Sequence, residues 1–438
     1  MSVMETVWIE TYGCTLNHGD SDIIEGILEE AGYRVLKDMG IPGGGGKSTN
    51  SSPLPDADIF ILNTCAVKET TENKIIYRLS QLHGEGKKLV VAGCLGMGPN
   101  RKRVARACPN APIIMPDALS SIVEAVECAK RGENKIFEGG ENKGLLPRKY
   151  TAPILRIPAQ DGCVGNCSFC QTKIARPRLS SRSPTTIKRW VEVGVEQGAR
   201  EIQVTGQDTG AYGLDIGSGL PELLREMLEV EGDFRIRLGM VNPGHAKRFL
   251  PELLEIMEHP KFYRFLHVPV QTGSERVRES MNRAHSVKDF EEVVSAVREG
   301  FPDATISTDI IVGYPTETVE DFEQSKKLLE RVEPDIVNIS KFSSRRGTEA
   351  SRMKKIDTAE IKGRSTEMSR LVHILGERRN SGYLGKTVDV LITEMQKTPT
   401  GRMGNYKQVC IDSDVKIGEW VKAKIIGYNH GSLFGEPV

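Results

Sequence analysis

The run CVGNCSFC at residues 163–170 places three cysteines close together in a chain of 438 residues. Cys163, Cys167 and Cys170 follow a C-x3-C-x2-C spacing, so the backbone must form a loop in which three thiols converge. Thiolates this close can ligate three irons of a [4Fe–4S] cluster and leave the fourth iron open to a small molecule. An electron-transfer ferredoxin normally fills all four positions with cysteine. The open iron therefore indicates catalysis.

Two other interpretations of this run compete. Three cysteines and a distant histidine could hold zinc, but zinc sites usually show a second short pair of ligands downstream, and no C-x2-C follows Cys170. The cysteines could also be unrelated buried thiols, although three in such a short run rarely occur by chance.

A second group of cysteines repeats one context three times. Cys14, Cys65 and Cys94 end the strand-like segments IETYGC, DIFILNTC and KLVVAGC, and a helical pattern follows each. The repeat predicts a parallel α/β domain at residues 1–130. Ligands of such sheets bind beyond the carboxyl ends of the strands, so these thiols are candidates for a second cluster with an open iron. The alternative is that cysteine is simply common in buried strands.

Composition bounds the class of protein. The formal net charge is zero and 27% of the residues are charged. The net charge therefore does not indicate a nucleic-acid partner, and any such binding must come from local basic patches. No apolar run approaches the roughly 18–20 residues of a membrane span, and no signal peptide is recognised. We expect a cytoplasmic protein without membrane association. Nine cysteines then favour metal chemistry over disulfides, with ordinary packing roles for Cys108, Cys128 and Cys410.

Two segments read as connections. Residues 38–55 contain GGGGKST, which superficially matches a phosphate-binding loop, but Ile41 stands where that motif requires glycine. A Gly/Ser-rich surface loop is the better interpretation. The charged, glycine-containing stretch within 131–150 predicts a linker.

Residues 151–345 alternate six strand candidates with helical patterns. This alternation predicts a partial TIM-like (β/α)6 barrel, whose chemistry lies at the carboxyl ends of its strands. The three-cysteine loop follows the first strand, as that rule requires. The polar residues at the other strand ends are Gln207, Asp208, Gln271, Ser274, Thr308, Asp309 and Asn338. Turn or helix N-cap roles are the alternative, especially for Asp208 and Ser274.

The C-terminal part divides into a basic connector, 346–380, and a region of short strands, 381–438. Residues 341–380 hold eleven Lys/Arg against five Asp/Glu. This excess suggests a phosphate-backbone footprint, although a helix with internal ion pairs is the more common cause. The short strands predict a small antiparallel β-barrel similar to the OB class.

Several segments together resemble the radical S-adenosylmethionine (SAM) methylthiotransferases. The matching segments are TYGCTLN, LNTCAVKETTENK, AGCL, VTGQDTGAYG, RIRLGMVNP, HVPVQTGS, DIIVGYPTET and GRMGNYKQV. TYGCTLN and HGDSD are most similar to the archaeal and eukaryotic branch, which modifies N6-threonylcarbamoyladenosine in tRNA.

The resemblance implies two [4Fe–4S] clusters, on Cys14/Cys65/Cys94 and on Cys163/Cys167/Cys170. It implies one SAM as methyl donor and one as the source of a 5′-deoxyadenosyl radical, which abstracts hydrogen from adenine C2 at tRNA position 37. It also implies that Phe169 packs beside the adenine of SAM and that the polar strand-end residues line the SAM and substrate cavity.

The last domain resembles the TRAM module, which docks tRNA. By that resemblance Arg402, Tyr406 and Lys407 contact the anticodon arm through charge and stacking. We expect a monomer, and the sulfur and electron donors stay unidentified. The alternative substrates are isopentenyladenosine in tRNA and an aspartate of a ribosomal protein. An alternative of another class is a non-catalytic Fe–S or zinc RNA-binding protein.

Overall fold

The computed structural model describes residues 4–38, 55–140 and 142–438. The predicted surface loop with GGGGKST falls almost wholly in 39–54, outside these residues. Among the helices of the three described ranges, none is long and apolar enough to cross a membrane.

The N-terminal domain is a six-stranded parallel sheet with helices packed on it, as the strand–cysteine–helix repeat predicts. Its elements in chain order are β1 Thr6–Thr11, α1 Thr15–Glu30, β2 Arg34–Lys37, β3 Ile59–Thr64, α2 Glu69–Gly84, β4 Lys88–Gly93, α3 Arg101–Ala107, β5 Ile113–Ile114, α4 Ile122–Arg131 and β6 Ile136–Phe137. The strand order is β2-β1-β3-β4-β5-β6. Strand β6 lies within the predicted linker 131–150, so part of that segment belongs to this sheet.

Burial explains why these strands can be predicted from the sequence. All six residues of β3 are buried, because a central parallel strand is covered on both faces and becomes an almost continuous apolar run. Cys108 and Cys128 belong to the same core, as predicted.

Helix α1 is an exception, because it buries many polar residues. One side of α1 lies on the sheet and the other lies against the next domain, where Gly19 approaches Pro158 and Gly26 leaves room for the backbone of Arg148.

The central domain is the predicted partial barrel. Its elements are β7 Ile154–Pro158, β8 Gln160–Asp161, α5 Thr172–Ala175, β9 Ser180–Ser181, α6 Pro184–Glu196, β10 Glu201–Thr205, α7 Leu220–Leu228, β11 Arg235–Leu238, α8 Pro243–Arg248, α9 Leu250–Glu258, β12 Phe265–His267, α10 Glu275–Ser280, α11 Val287–Gly300, β13 Thr305–Val312, α12 Val319–Val332 and β14 Ile336–Lys341. The parallel sheets β7-β10-β11 and β12-β13-β14 supply its six strands. A parallel bridge from Ile236 to Phe262 joins the two halves.

A long helix and a closed five-stranded barrel complete the chain. They comprise α13 Thr358–Ser381, β15 Thr387–Met395, β16 Pro399–Met403, β17 Gln408–Ile411, β18 Trp420–Tyr428 and β19 Leu433–Pro437. The strand order is β15-β16-β17-β19-β18. One pairing, β17 with β19, is parallel, whereas the sequence predicts an antiparallel barrel throughout.

The small barrel docks on the amino ends of the central strands, at the opposite end from the cysteine loop. Tyr406 donates a hydrogen bond to Glu201 Oε1 at 3.0 Å, and its ring lies 4.9 Å from those of Tyr263 and Phe265. The Arg402 guanidinium lies 4.9 Å from the Tyr406 ring. These residues build the joint between the domains.

Lys407 belongs to the same joint, since it is only 6% exposed and its ammonium lies 2.8 Å from Asp335 Oδ1 and from Asn380 Oδ1. The prediction that Arg402, Tyr406 and Lys407 contact RNA is therefore not supported. Their polar groups already bind partners inside the protein, and the aromatic face of Tyr406 is covered.

Asp335 is the charge on which this joint depends. Its side chain is fully buried and accepts contacts from Arg298, Arg379 and Lys407. Burial acts to raise the pKa of Asp335, but the surrounding cations, Lys407 first, hold it below its usual range.

We expect Asp335→Asn to lower the free energy of unfolding by about 3 kcal/mol, because it leaves buried cations without their counter-charge. Asp303→Asn is the matched control, since its exposed pair with Arg264 contributes below about 1 kcal/mol. Because the folded-state pKa of Asp335 is lowered, its stabilisation is present above its unfolded pKa of about 4 and is lost on acidification. Urea unfolding at several pH values measures both effects, and equal stability of the two variants would contradict the assignment.

Candidate functional site

The first three cysteines meet at the carboxyl edge of the N-terminal sheet. Strands β1, β3 and β4 are neighbours in that sheet. Cys14 is the N-cap residue of α1, while Cys65 and Cys94 directly follow β3 and β4. Parallel strands end at the same edge, so the topology brings the three thiols together.

Asn17 sits at the centre of this group. Its Oδ1 lies 4.0 Å from both Cys14 Sγ and Cys94 Sγ. Its Nδ2 donates at 2.9 Å to the carbonyls of Tyr12 and Thr64. One amide therefore ties the loop before Cys14 to the end of β3.

Gly13 leaves the space that Cys65 occupies. Its φ is +107°, and a Cβ placed there would lie 2.7 Å from Cys65 Sγ. Burial, followed by the nearby Cys14 and Cys94, raises the pKa of Cys65 to about 12. Burial also raises the pKa of Cys14, so without a cation Cys14 and Cys65 favour their neutral form. A cationic metal centre reverses that preference, because it binds thiolates.

The second group lies in the loop between β8 and α5. The Gly165 N–H donates to Cys163 Sγ at 3.3 Å, and a Cβ on Gly165 would lie 3.4 Å from that sulfur and 4.0 Å from Cys167 Sγ. Burial, followed by the charges of Asp208, Cys167 and Cys170, raises the pKa of Cys163 to about 11. The thiols of Cys167 and Cys170 are thus near enough to influence the ionisation of Cys163.

Two cations that the sequence analysis missed support this loop. Arg283 is 8% exposed, and its Nη1 lies 3.6 Å from Cys167 Sγ while its Nη2 donates to the carbonyl of Pro269 at 2.8 Å. Lys173 donates to the carbonyl of Cys163 at 2.5 Å. Neither stands in a local motif, so only the fold reveals them.

Four of the predicted cavity residues keep positions suited to that role. Gln207 holds the start of the cysteine loop, because its Oε1 accepts from the Gly162 N–H at 2.6 Å. Phe169 is half-buried against a small cluster formed by Val277, Met281, Tyr314 and Ala350. Asp309 Oδ1 lies 2.9 Å from the Asn338 amide and 3.1 Å from His267 Nε2.

The surroundings of Asp309 favour its ionised form. Burial acts to raise its pKa, but the hydrogen bond and charge of His267, followed by the bond from Asn338, keep the pKa below its usual range. Gln271, the fifth such position, adopts a φ of 72°, and its backbone bridges to β13. These residues place a polar surface on the carboxyl half of strands β12 to β14.

Three other predicted cavity residues serve the fold instead. Asp208 is 3% exposed, caps the turn at Gly210 and contacts His245 Nδ1 at 2.9 Å. Ser274 is 1% exposed and caps α10. Thr308 is fully buried and bonds to backbone on either side of its hydroxyl. Direct cofactor contact is not supported for them, because their polar atoms are already satisfied; the N-cap alternative describes Asp208 and Ser274 correctly.

Arg176 connects the two cysteine groups. It follows the second cysteine loop at the end of α5, and its Nη2 donates to Asn17 Oδ1 at 3.2 Å and to Asp20 Oδ2 at 2.5 Å. Its Nη1 pairs with Asp161, two residues before Cys163. The two sites therefore share one buried chain of contacts, and α5 packs on the turn that starts at Cys94.

Each group offers three cysteine thiols, which are the donor type that iron–sulfur clusters use. Across 4–38, 55–140 and 142–438, no three His, Cys, Asp or Glu side chains converge closely enough to hold one metal ion. Thiolates that bind separate corners of a cluster stand further apart than ligands of one ion. Gly165 leaves space beside the sulfurs of Cys163 and Cys167, and Gly13 lets the Cys65 side chain approach the backbone before Cys14.

Comparison with known families matches three parts of the chain. The Radical SAM superfamily model matches residues 157–329, an uncharacterised protein family (UPF0004) matches 44–115, and the TRAM domain matches 381–438. The first match implies SAM and a [4Fe–4S] cluster.

Relatives extend over nearly the whole chain. A probable threonylcarbamoyladenosine tRNA methylthiotransferase of Archaeoglobus fulgidus is 42% identical over 98% of this chain and 98% of that protein. A relative of the same name from Pyrococcus horikoshii is 37% identical, covering 99% of this chain and all of that protein. The human threonylcarbamoyladenosine tRNA methylthiotransferase is 33% identical over 99% of this chain and 74% of its own length.

Solved structures share the fold at low identity. The radical SAM methyltransferase TsrM of Kitasatospora setae aligns with a TM-score of 0.54 and 14% identity, covering 80% of this chain and 77% of that one. The cobalamin-dependent SAM radical enzyme OxsB aligns at 0.51 and 11% identity, covering 84% of this chain and 56% of that one. These matches support the predicted fold class of the central domain.

We predict that Gly13→Ala prevents iron binding at the first site only, because the added methyl group would overlap Cys65 Sγ. After anaerobic reconstitution the variant should hold about four irons per chain, against about eight in the unaltered protein. Gly32→Ala is the matched control: its φ of +89° is equally unfavourable, but nothing lies within 4 Å of the added methyl group. Equal iron contents in the two variants would contradict this role of Gly13.

Proposed function

The chain belongs to the threonylcarbamoyladenosine tRNA methylthiotransferase family and is a radical SAM enzyme, and we propose that it converts N6-threonylcarbamoyladenosine at tRNA position 37 to its 2-methylthio derivative. The bond broken is C2–H of adenine, and the bond formed joins C2 to sulfur. One SAM would supply the methyl group and a second SAM the radical.

The observation that carries this proposal is the pairing of two three-cysteine sites across one domain interface. Asn17 contacts the thiols of the first site and accepts a hydrogen bond from Arg176, which follows the second. A reaction that removes hydrogen from a carbon and then attaches sulfur to it needs both agents in one cavity.

The substrate explains why such an arrangement is required. Adenine C2–H has no useful acidity, so a positioned acid or base cannot activate it. When bound, the clusters and SAM supply hydrogen abstraction on one side and a methylated sulfur on the other. The protein supplies position and exclusion of water.

The residues of the chain divide this work. Cys14, Cys65 and Cys94 would hold the first cluster, and Cys163, Cys167 and Cys170 the second. Arg283 and Lys173 keep the second loop in shape, and Arg283 offsets negative charge at Cys167. Phe169 covers the apolar side of the cavity. Asp309, with His267 and Asn338, offers ionised and amide groups to the polar parts of SAM or the nucleoside.

We propose that the enzyme acts as a monomer in the cytoplasm, where its tRNA substrate is found. It would bind the anticodon stem-loop, because position 37 lies there.

Mass spectrometry of tRNA nucleosides tests the function directly. A strain lacking this gene should lose the 2-methylthio form of N6-threonylcarbamoyladenosine and accumulate the unmethylthiolated nucleoside, and a plasmid copy should restore it. Loss of methylthiolated isopentenyladenosine would instead assign the bacterial-type tRNA substrate. Unchanged tRNA with an unmodified ribosomal-protein aspartate would assign the protein substrate.

Cys65→Ser should separate the two sites. We expect reductive SAM cleavage to persist, because the second cluster is untouched, while methylthiolated product falls below detection. Cys167→Ser should abolish both reactions. Cys108→Ser is the control, since Cys108 is buried in the core away from both sites. Product formation by Cys65→Ser at the unaltered rate would refute the two-site mechanism.

A further inference from the structure

The segment that starts at the last residue of β14, residues 341–355, carries an unusual concentration of unpaired positive charge. We call it the basic loop. Its exposed cations are Lys341, Arg346, Arg352, Lys354 and Lys355. Within the described part of the chain, none of these side chains makes an ion pair or a hydrogen bond, and Glu349 is the one acidic residue of the loop.

The helix that follows, α13, differs, because among its described residues only two of five Lys/Arg, Lys362 and Arg370, lack an ion pair. Its residues Arg364, Arg378 and Arg379 each pair with a carboxylate of the central domain. The basic excess of 341–380 therefore splits in two. The helical half largely holds the connector in place, while the basic loop keeps its charge available.

The basic loop lies on the edge of both cysteine sites. Arg345 donates to the carbonyl of Ala66, next to Cys65, at 2.5 Å. The Ala350 N–H donates to the carbonyl of Ser168, inside the second cysteine loop, at 2.9 Å. The loop thus contacts one cysteine-bearing segment from each site.

The small C-terminal barrel, which the sequence also predicts to bind RNA, lies far from the two cysteine sites. The small barrel docks at the amino ends of the strands, and α13 connects that end to the basic loop. A helix of 24 residues is about 36 Å long. The basic loop is therefore nearer to both cysteine sites than the small barrel is.

We infer that the basic loop binds the phosphate backbone of the substrate RNA next to the modified nucleoside. This inference rests on the proposed function and adds where the RNA is held. Lysine and arginine without internal partners can neutralise phosphates and release counterions, and this makes affinity depend strongly on salt. Such contacts position the strand without reading its sequence.

Binding of an unmodified tRNA transcript to the reconstituted enzyme, measured over a series of salt concentrations, tests this inference. Lys354→Gln/Lys355→Gln should weaken binding and reduce the slope of log affinity against log salt by about two, roughly one per phosphate contact. Arg352→Gln should reduce it by about one. Reductive SAM cleavage without RNA should be unchanged, because neither variant alters a cysteine site.

The matched control is Lys88→Gln/Lys327→Gln. Both lysines are exposed, and they lie at the amino end of β4 and on the outer helix α12. A slope equal to that of the control would overturn the assignment to the basic loop while leaving the proposed function intact. Failure of the unaltered enzyme to bind any tRNA would overturn the proposed function itself.

Discussion

The buried ion network between α1 and the second cysteine loop is the interaction on which the site depends. Arg176 and Asp20 are each about 2% exposed, and Lys143 joins Asp20 to Asp161. Charges buried in this way are costly unless each has a partner, and breaking such a pair typically costs about 3–5 kcal/mol. The network therefore allows essentially one relative position of the two domains. That position sets how the two groups of thiols face each other.

This interface explains why α1 buries so many polar residues. A helix that only covered a sheet would bury apolar residues, whereas α1 buries Asn17, Asp20, Asp22 and Glu25. Beside the first cysteine site, the Asn17 Nδ2 donates to the carbonyls of Tyr12 and Thr64. Its Oδ1 accepts a hydrogen bond from Arg176. The same helix thus belongs to the sheet domain, the domain interface and the chemistry. The proposed reaction needs a sulfur source and a radical source at one carbon, and this interface fixes the two cysteine-bearing surfaces against each other.

The architecture could be predicted because each element of it leaves a periodic or positional signal. Buried parallel strands read as apolar runs, and cysteines at equivalent strand ends meet because parallel strands end at one edge. The roles of side chains that depend on burial between domains cannot be recognised from any periodic or positional pattern in the sequence. Tyr406 and Lys407 look like an RNA-binding pair in sequence, yet Glu201 and Asp335 from the central domain engage them. From sequence alone, Asp208 could line a cavity or cap a turn. In the structure its carboxylate accepts from the backbone N–H groups of Gly210 and Asn242, so it caps the turn. Arg176 and Arg283 stand in no motif at all.

The magnetic interaction between the two reduced clusters tests the central claim most directly. If both cysteine sites open into one cavity, electron paramagnetic resonance of the fully reconstituted, reduced enzyme should show coupled or strongly relaxation-enhanced signals. The same measurement on a variant that lacks the first cluster should then give a simple signal from the second cluster alone. A spectrum of the intact enzyme that equals the sum of two independent clusters would contradict the account.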